Sequence, residues 1–472
     1  MSRPLLTAGV GRSIITPPLT APHASWGAQL HVLPDGVDRD LLATVLVVSD
    51  GNETAAFCEL ELVILSRQES DAIRSAVAAE VNILPERVRV CVSHNHAGPP
   101  PSSWNWTTQG QAALAGYYTL LPSLVAGAAR QAALALRPAQ VGWGRGESRV
   151  AANRRETAPN GRTVTGVNAA GEIDPEVLVV RIDGADGEPI AAIVGYTMHP
   201  TFLGPTNRVI SPDWPGHMRH VFEQVTGSPC LFAQGATGDV GPGPKGYSDD
   251  LRAVHALGAQ VGCEAARVWL SLDLPTVRYR HERVWESGAP LGKWTSEPFP
   301  EPESLVRSRE TTVELPLREQ LPVEIAQGNV DAAQATLDRL QASGAPATEI
   351  EAATFAVKRA NMTLFRSTTY SGKSSAPVAI HLMQIGSAVF AGVEGEPFSA
   401  LGTQVKRESP FTPTWFGGYT GGWAGYIATP EEFPRTGYEV ETSPFAESAA
   451  GVLVEATVSA LRDLADEQGR GR

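Results

Sequence analysis

The chain is 472 residues long, 42% hydrophobic and 19% charged, with a formal net charge of −13. Length and balance describe a folded protein with a large core rather than a disordered one. The acidic charge, with no basic cluster, argues against binding nucleic acid or an anionic membrane through general electrostatics. No apolar stretch is read as approaching the ~20 residues of a bilayer span, and MSRPLLTAGVGRSIITPPL at the start has no apolar signal-peptide core. Cys58, Cys91, Cys230 and Cys263 are scattered, most of them in apolar runs, which suits buried thiols in a reducing cytoplasm.

In chain order, 54–65 (TAAFCELELVIL) reads as a strand and 66–81 as a helix opening on a Ser66…Glu69 capping box. Next, ERVRVCVS alternates through Val88, Val90 and Val92, a strand pattern. In VSHNHAGPPP the run ends, because Gly98 and Pro99–Pro101 force a turn. His94 and His96 are therefore expected at a strand's C-terminal end, on one face because strand periodicity is two. Open α/β sheets bind ligands at such ends.

A helix is predicted from about 111 to 136, then strands at 177–183, 190–198 and 229–234. The second of these strands ends in His199-Pro200. His217 and His220, three apart in DWPGHMRH, are expected on an ordinary helix face begun by Asp213-Trp214-Pro215. QGATGDVGPGPKG (234–246) holds five glycines. Such a loop can turn backbone N–H groups toward a ligand or a developing oxyanion, but it lacks the Lys-Ser/Thr ending of a Walker loop.

Residues 287–304 read as a Pro-rich connector with a solvated acidic run at 296–303. Two Ala-rich segments over 322–366, broken at ASGAP (342–346), predict a helical hairpin. Short strands return at 377–392. The run SAVFAGVEGEPFSALG breaks at Gly395-Glu396-Pro397, which puts Pro397 in the first turn of a helix with Glu396 just ahead. Tyr426 and Tyr438 lie twelve apart in GGWAGYIATPEEFPRTGYE, where the ordinary role of a tyrosine is packing. A last helix is predicted over 443–464.

This order gives an α/β class with mixed sheets flanked by helices, as one domain over 1–472 carrying the helical hairpin as an insertion. Two strand-end histidines and a strand-end carboxylate are ligand types of a catalytic zinc with an open position. No compact motif such as H-E-x-x-H is present.

Side by side, these stretches resemble the catalytic domain of the neutral, non-lysosomal ceramidase family. AGVGRSIITPP is similar to its Gly-x-Gly-x-x-Asp-Ile-Thr-x-Pro opening, and SHNHAGPPP to its Ser-His-Thr-His-Ser-Gly-Pro-Gly. QGATGDVGPG resembles its Gly-Asp-Val-Ser-Pro-Asn, GVEGEPFSALG its Pro-Gly-Glu-Phe, and GYIATPEEF its Tyr-Val-Thr-Thr-Pro-Glu-Glu-Tyr. The five matches run in family order from about residue 8 to 440.

The resemblance implies a ceramidase-catalytic-domain-like fold and a zinc site of His94, His199, Glu396 and Tyr426. It implies that His96 lies near the substrate amide and handles protons. Arg154 falls at a substrate-contacting arginine, although neighbouring Arg155 competes for that register, and Tyr438 faces the scissile group. Gly241 stands where the family has its serine nucleophile. A secretory signal and the C-terminal immunoglobulin-like domain are not expected. The function expected is zinc-dependent hydrolysis of a C–N bond in a small soluble substrate by metal-activated water, an amidase that does not act on ceramide. Ester or lactone hydrolysis, lyase or isomerase chemistry, and a catalytically silent binding protein stay open as alternatives. The sequence does not specify an oligomeric state.

Overall fold

The runs Leu42–Ser49 and Thr54–Leu60 are apolar at most positions, as strands covered on both faces must be. Their side chains alternate between two cores. Ala43, Val45, Val47, Ala56 and Cys58 pack under helices, while Leu46, Val48 and Phe57 face a second sheet. A computed structural model describes residues 6–103, 108–272, 277–298 and 305–470.

The larger sheet has eight strands in the order Cys230–Gln234, Pro189–Tyr196, Glu176–Gly184, Arg137–Glu147, Thr7–Ile14, Leu42–Ser49, Thr54–Leu60 and Val88–Val92. The outermost pair at each edge is parallel, and the pairs between are antiparallel. The smaller sheet orders Val306–Pro316, Ser375–Ile385, Ala388–Val393 and Thr414–Gly417. Leu46, Phe57, Val180 and Ile193 of the first sheet meet Val306, Met383, Phe390 and Trp415 of the second.

Helices Arg67–Val81 and Gln111–Leu134 cover half of the large sheet's outer face. Asp213–Thr226 and Leu251–Ser271 cover the other half. Ser399–Glu408 and Ala449–Arg470 cover the small sheet. The layers are therefore helix, sheet, sheet, helix, and the expected mixed α/β class holds.

The capping box forms, with Ser66 accepting from the Glu69 amide and the Glu69 carboxylate accepting from the Ser66 amide at 2.7 Å. The helical hairpin consists of Val323–Ala342 and Ala347–Tyr370. Several expectations need correction. The strand predicted over 54–65 stops at Leu60. Within the predicted connector, Leu291–Pro298 pairs with Val277–Trp285 as a β-hairpin, held by cross-strand contacts. His281 packs edge-on to Trp294 at 5.4 Å, and Lys293 lies over the Trp285 ring at 4.5 Å. Residues 299–304, with most of the acidic run, lie outside the described residues.

The last helix starts at Ala449 rather than 443, because Pro444 keeps Ser443 extended (φ −64°, ψ 135°). Gln111–Leu134 is, against expectation, long and apolar enough to cross a membrane. Here it buries Leu114, Tyr117, Leu121 and Val125 against the sheet. Cys58, Cys91 and Cys230 are buried free thiols, but Cys263 is exposed.

The Gly-x-Gly near the start has a packing cause. A Cβ on Gly11 would stand 2.1 Å from the Ala128 carbonyl oxygen, and one on Gly9 would stand 2.2 Å from that of Ala132. The strand touches the helix backbone there. Gly11→Ala must part the two elements and should lower the unfolding free energy by at least about 2 kcal/mol. Gly116→Ala, on the same helix with open space around it, should raise stability by up to about 1 kcal/mol. Urea denaturation of both variants checks the pair, and equal effects would contradict the close approach.

Candidate metal centre

The strand Val88–Val92 ends before either histidine, and His94 sits at φ 67°. Strand periodicity is therefore not what aligns His94 with His96; a tight left-handed turn does it. His94 Nδ1 bonds the Val63 carbonyl at 2.7 Å, His96 Nδ1 the Ser25 carbonyl at 2.9 Å, and His199 Nδ1 the Thr237 carbonyl at 2.9 Å. A carbonyl only accepts, so each Nδ1 carries a proton and each ring turns Nε2 toward the centre.

Those nitrogens converge. His94 Nε2 is 2.9 Å from His199 Nε2 and 3.1 Å from His96 Nε2. Glu396 Oε2 lies 3.5 Å from His94 Nε2 and 3.6 Å from His199 Nε2. Three imidazole nitrogens thus converge, with a carboxylate oxygen beside two of them, an arrangement that could hold a cation. Burial, with neighbouring His94, pushes His96 down to about 3. Burial, then Arg154 and the other two histidines, lowers His199 well below its ordinary value. For Glu396 burial acts upward, but His94, the Trp423 hydrogen bond and Arg154 outweigh it and hold the carboxyl at about 2. For His96, His199 and Glu396 these directions favour neutral imidazole and anionic carboxylate, the ligand form of both groups.

Glu396 is not just ahead of a helix turn, as the sequence predicted. Glu396–Pro397 forms a two-residue strand paired in parallel with Tyr426–Ile427, and the helix starts two residues later at Ser399. That pairing sets Glu396 beside Tyr426. Trp423 Nε1 donates to Glu396 Oε1 at 2.8 Å, and the Tyr419 hydroxyl donates to Oε2 at 3.3 Å while its ring stacks on His94 at 4.0 Å. Neither aromatic was singled out in the sequence; the only signal was their density in the Gly-rich stretch 415–426.

Arg154 Nη2 donates to the Tyr426 hydroxyl at 3.1 Å, and its Nε donates to Glu439 Oε1 at 2.8 Å. Arg155 turns to Glu439 Oε2 at 2.6 Å, to Glu432 and to the Thr436 carbonyl. Adjacent strand residues should point apart, but the pairing register shifts between Asn153 and Arg155. Such a bulge lets both guanidiniums reach one carboxylate. Arg154 is the one that reaches Tyr426. Tyr438 packs edge-on to Tyr426 at 5.8 Å and is 46% exposed.

Several amides of the glycine-rich loop already have partners within the protein. The N–H groups of Gly238, Val240 and Gly246 are spent on the carbonyls of Pro397, Thr237 and Gly243. Asp239 accepts from the Ser399 amide at 2.6 Å, from its hydroxyl at 3.1 Å and from Asn153 at 3.1 Å, a positioning role. Burial raises its carboxyl to about 6 against those bonds. Gly241 lies in a strand paired to Ala152 and has no left-handed φ. The reason for glycine is space, since a Cβ would stand 3.0 Å from the Tyr247 hydroxyl and 3.6 Å from Arg154.

Tyr247 itself is held at φ 60°, and its buried hydroxyl has no partner. Trp26, whose buried Nε1 is also unpartnered, packs at 5.2 Å on His96 and 5.9 Å on Tyr247. Sequence reasoning missed both, because neither carries a motif. His217 is not on an open face: it is 2% exposed and bonds Asp38, while His220 is exposed. Their helix opens on Asp213 at φ 52° with Pro212 as its cap.

Fold and site together define a mixed α/β protein with a buried imidazole–carboxylate centre fed by loops at strand ends. More particularly, its fold is similar to that of neutral ceramidase. Its structure matches the crystal structure of neutral ceramidase from Pseudomonas aeruginosa with a TM-score of 0.67, at 16% identity over 96% of this chain and 73% of that one. A ceramidase complexed with C2 also matches at 0.67 and 16% identity, over 98% and 76%. In sequence, the Pseudomonas aeruginosa neutral ceramidase is 28% identical over 162 residues, spanning 33% of this chain and 24% of that protein. Neutral ceramidase B of Dictyostelium discoideum is 31% identical over 83 residues, 16% of this chain and 12% of that one. No family model matches the chain.

The contact at Gly241 gives a test by double-mutant cycle. Gly241→Ala should cost about 1–2 kcal/mol through crowding. Tyr247→Phe alone, which removes an unpartnered hydroxyl, should be neutral or stabilising. In the double variant most of the alanine cost should vanish. Additive effects in thermal or urea unfolding would show that the two positions do not touch.

Proposed function

We propose that the chain is a zinc-dependent hydrolase of C–N bonds acting on a small, soluble amide. One observation carries this reading: three Nε2 atoms converge at a buried point with the Glu396 carboxylate beside them, each imidazole fixed through its other nitrogen. The donor set suits zinc, with His94, His199 and Glu396 holding it and Tyr426 alongside. When bound, zinc supplies a Lewis acid that polarises a carbonyl and lowers the pKa of water toward ~7. The likeness to proteins named ceramidases supports cleavage of an amide.

The chain's own residues supply the rest. His96 is held neutral, so it must take a proton before it gives one. It accepts the proton from the attacking water at Nε2 and passes it to the leaving nitrogen. Its Nδ1–H on Ser25 fixes which nitrogen works. Arg154, buried and charged, faces the Tyr426 hydroxyl and stabilises negative charge developing on the substrate oxygen. Tyr438, partly exposed over Tyr426, contacts substrate at the rim. Gly241 offers no side-chain nucleophile, so attack proceeds without an acyl-enzyme. The Tyr247 hydroxyl and the Trp26 ring close the space beside Gly241 and His96, which favours a small substrate over a long-chain lipid. Three buried free thiols support a reducing, cytoplasmic setting.

The test combines metal analysis with a screen of short N-acyl amines, esters, lactones and long-chain ceramide. His94→Ala, His199→Ala and Glu396→Gln should each lose one equivalent of zinc at unchanged folding, with turnover of the preferred short amide reduced at least about a hundredfold. Mass spectrometry of the quenched enzyme should find no acyl adduct. Full zinc retention in those variants, or ceramide turned over as fast as the short amide, would overturn the reading.

A further inference from the structure

Outside this centre, a second group of ligand side chains meets between two helices. His217 projects from Asp213–Thr226 and His255 from Leu251–Ser271. Asp38 follows the short strand Gly36–Val37, which pairs in parallel with Val209–Ile210. His217 Nε2 is 3.0 Å from Asp38 Oδ2, and His255 Nε2 is 3.2 Å from Asp38 Oδ1. The imidazole centroids lie 3.8 Å apart, and one ligand atom from each of the three residues falls within 4.8 Å of the others.

We propose that Asp38, His217 and His255 form a second divalent-metal site that takes zinc or a similar transition ion. Two imidazoles and one carboxylate select a borderline metal over calcium or magnesium, which prefer all-oxygen ligands. A four-coordinate ion with bonds of ~2.0–2.1 Å places its ligand atoms roughly 3.3 Å apart, and each imidazole stands near that distance from one of the two Asp38 oxygens. The carboxylate is oriented from behind: Ser211 Oγ donates to Oδ2 at 2.9 Å and the Asp38 amide bonds the Ile210 carbonyl at 2.8 Å. Such outer contacts fix ligands before the ion arrives.

Access is open. The His255 side chain is 41% exposed, and Asp38 borders a surface hollow of about 560 Å³ with Arg39, Asp40, Arg219, His220 and Glu223. Water can therefore complete the coordination. The site differs from the first centre in one respect. Here each imidazole can carry its proton on Nε2 and donate it to Asp38, so the group is stable without metal, and binding through Nε2 moves that proton to Nδ1 of the same ring.

The ion would join the two helices beneath the catalytic turn. Ser211, which orients Asp38, also accepts through its carbonyl from Asn95 Nδ2 at 2.8 Å, and its amide bonds the Ala97 carbonyl at 3.1 Å. Asn95 and Ala97 flank His96. The role is structural, a strap under the loop that carries His94 and His96, and it is independent of which substrate the enzyme takes.

Zinc counting decides the matter. The chain is equilibrated with excess Zn²⁺, freed of unbound metal by gel filtration and analysed for zinc per chain. The wild type should hold two equivalents, and His94→Ala, Asp38→Asn and His217→Ala one each. The double variant His94→Ala with Asp38→Asn should hold none. Because His217 is buried and its loss could unfold the helix pair, His255→Gln serves as the milder variant: its amide can still donate to Asp38 but is a poor metal ligand, and it too should hold one. A wild-type chain with one zinc that His94→Ala removes would overturn the proposal and leave the catalytic reading intact. A second zinc that survives both Asp38→Asn and His255→Gln would place it elsewhere and also overturn the proposal. Failure of His94→Ala to lose any zinc would count against the catalytic centre instead.

Discussion

Four residues, Gly418 to Gly421, tie the two sheets together at the point where the site forms. The Gly421 amide bonds the Val90 carbonyl at 2.8 Å, and the Tyr419 carbonyl accepts from Val92 at 3.1 Å, both at the edge of the large sheet. In the other direction, the amides of Tyr419 and Thr420 bond the carbonyls of Gly395 and Val393 at 3.0 and 3.1 Å, at the end of a small-sheet strand. One backbone segment thus fixes the distance between the turn bearing His94 and the strand end bearing Glu396. The Tyr419 side chain repeats the link, stacking on His94 and bonding Glu396 and Thr237. Cores on both sides keep the sheets rigid, so the acceptors meet at fixed separations.

A second layer of order is ionic. The Arg154 and Arg155 guanidiniums share Glu439, and all three side chains are almost fully buried. Buried ion pairs add little net stability relative to apolar packing, but removing one partner is expensive. Their value here is placement: the Glu439 clamp holds Arg154 against Tyr426, and Tyr426 is in register with Glu396. The clamp also ties the strand Ala151–Thr157 to the segment that carries Tyr438. The acidic net charge of the chain conceals a local cluster of cationic side chains at its centre.

What the sequence made legible was punctuation. Apolar runs that stop at His-x-His, His-Pro and Gly-Glu-Pro mark strand ends, and the protein gathers those ends around one point. The capping box at Ser66 and the helical hairpin were likewise readable, because they depend on residues close in the chain. Less was readable where geometry overrides local pattern. His94 meets His96 through a left-handed turn rather than strand alternation, and Glu396 belongs to a strand pair whose partner lies thirty residues away. A bulge decides which arginine faces the site, and no propensity announces a bulge. Tyr419, Trp423, Trp26 and Tyr247 act through long-range contacts that leave no spacing to find. The β-hairpin over 277–298 was hidden by the prolines around it.

The converging side chains have a thermodynamic consequence for the protein as a whole. Unfolding scatters His94, His96, His199 and Glu396 along some three hundred residues of chain, so the unfolded state offers a cation nothing comparable. Any ion that lodges among these acceptors therefore adds to folding stability by mass action, about 2.7 kcal/mol when its free concentration is a hundred times its dissociation constant. With such an ion bound, folding stability would rise and fall with metal supply.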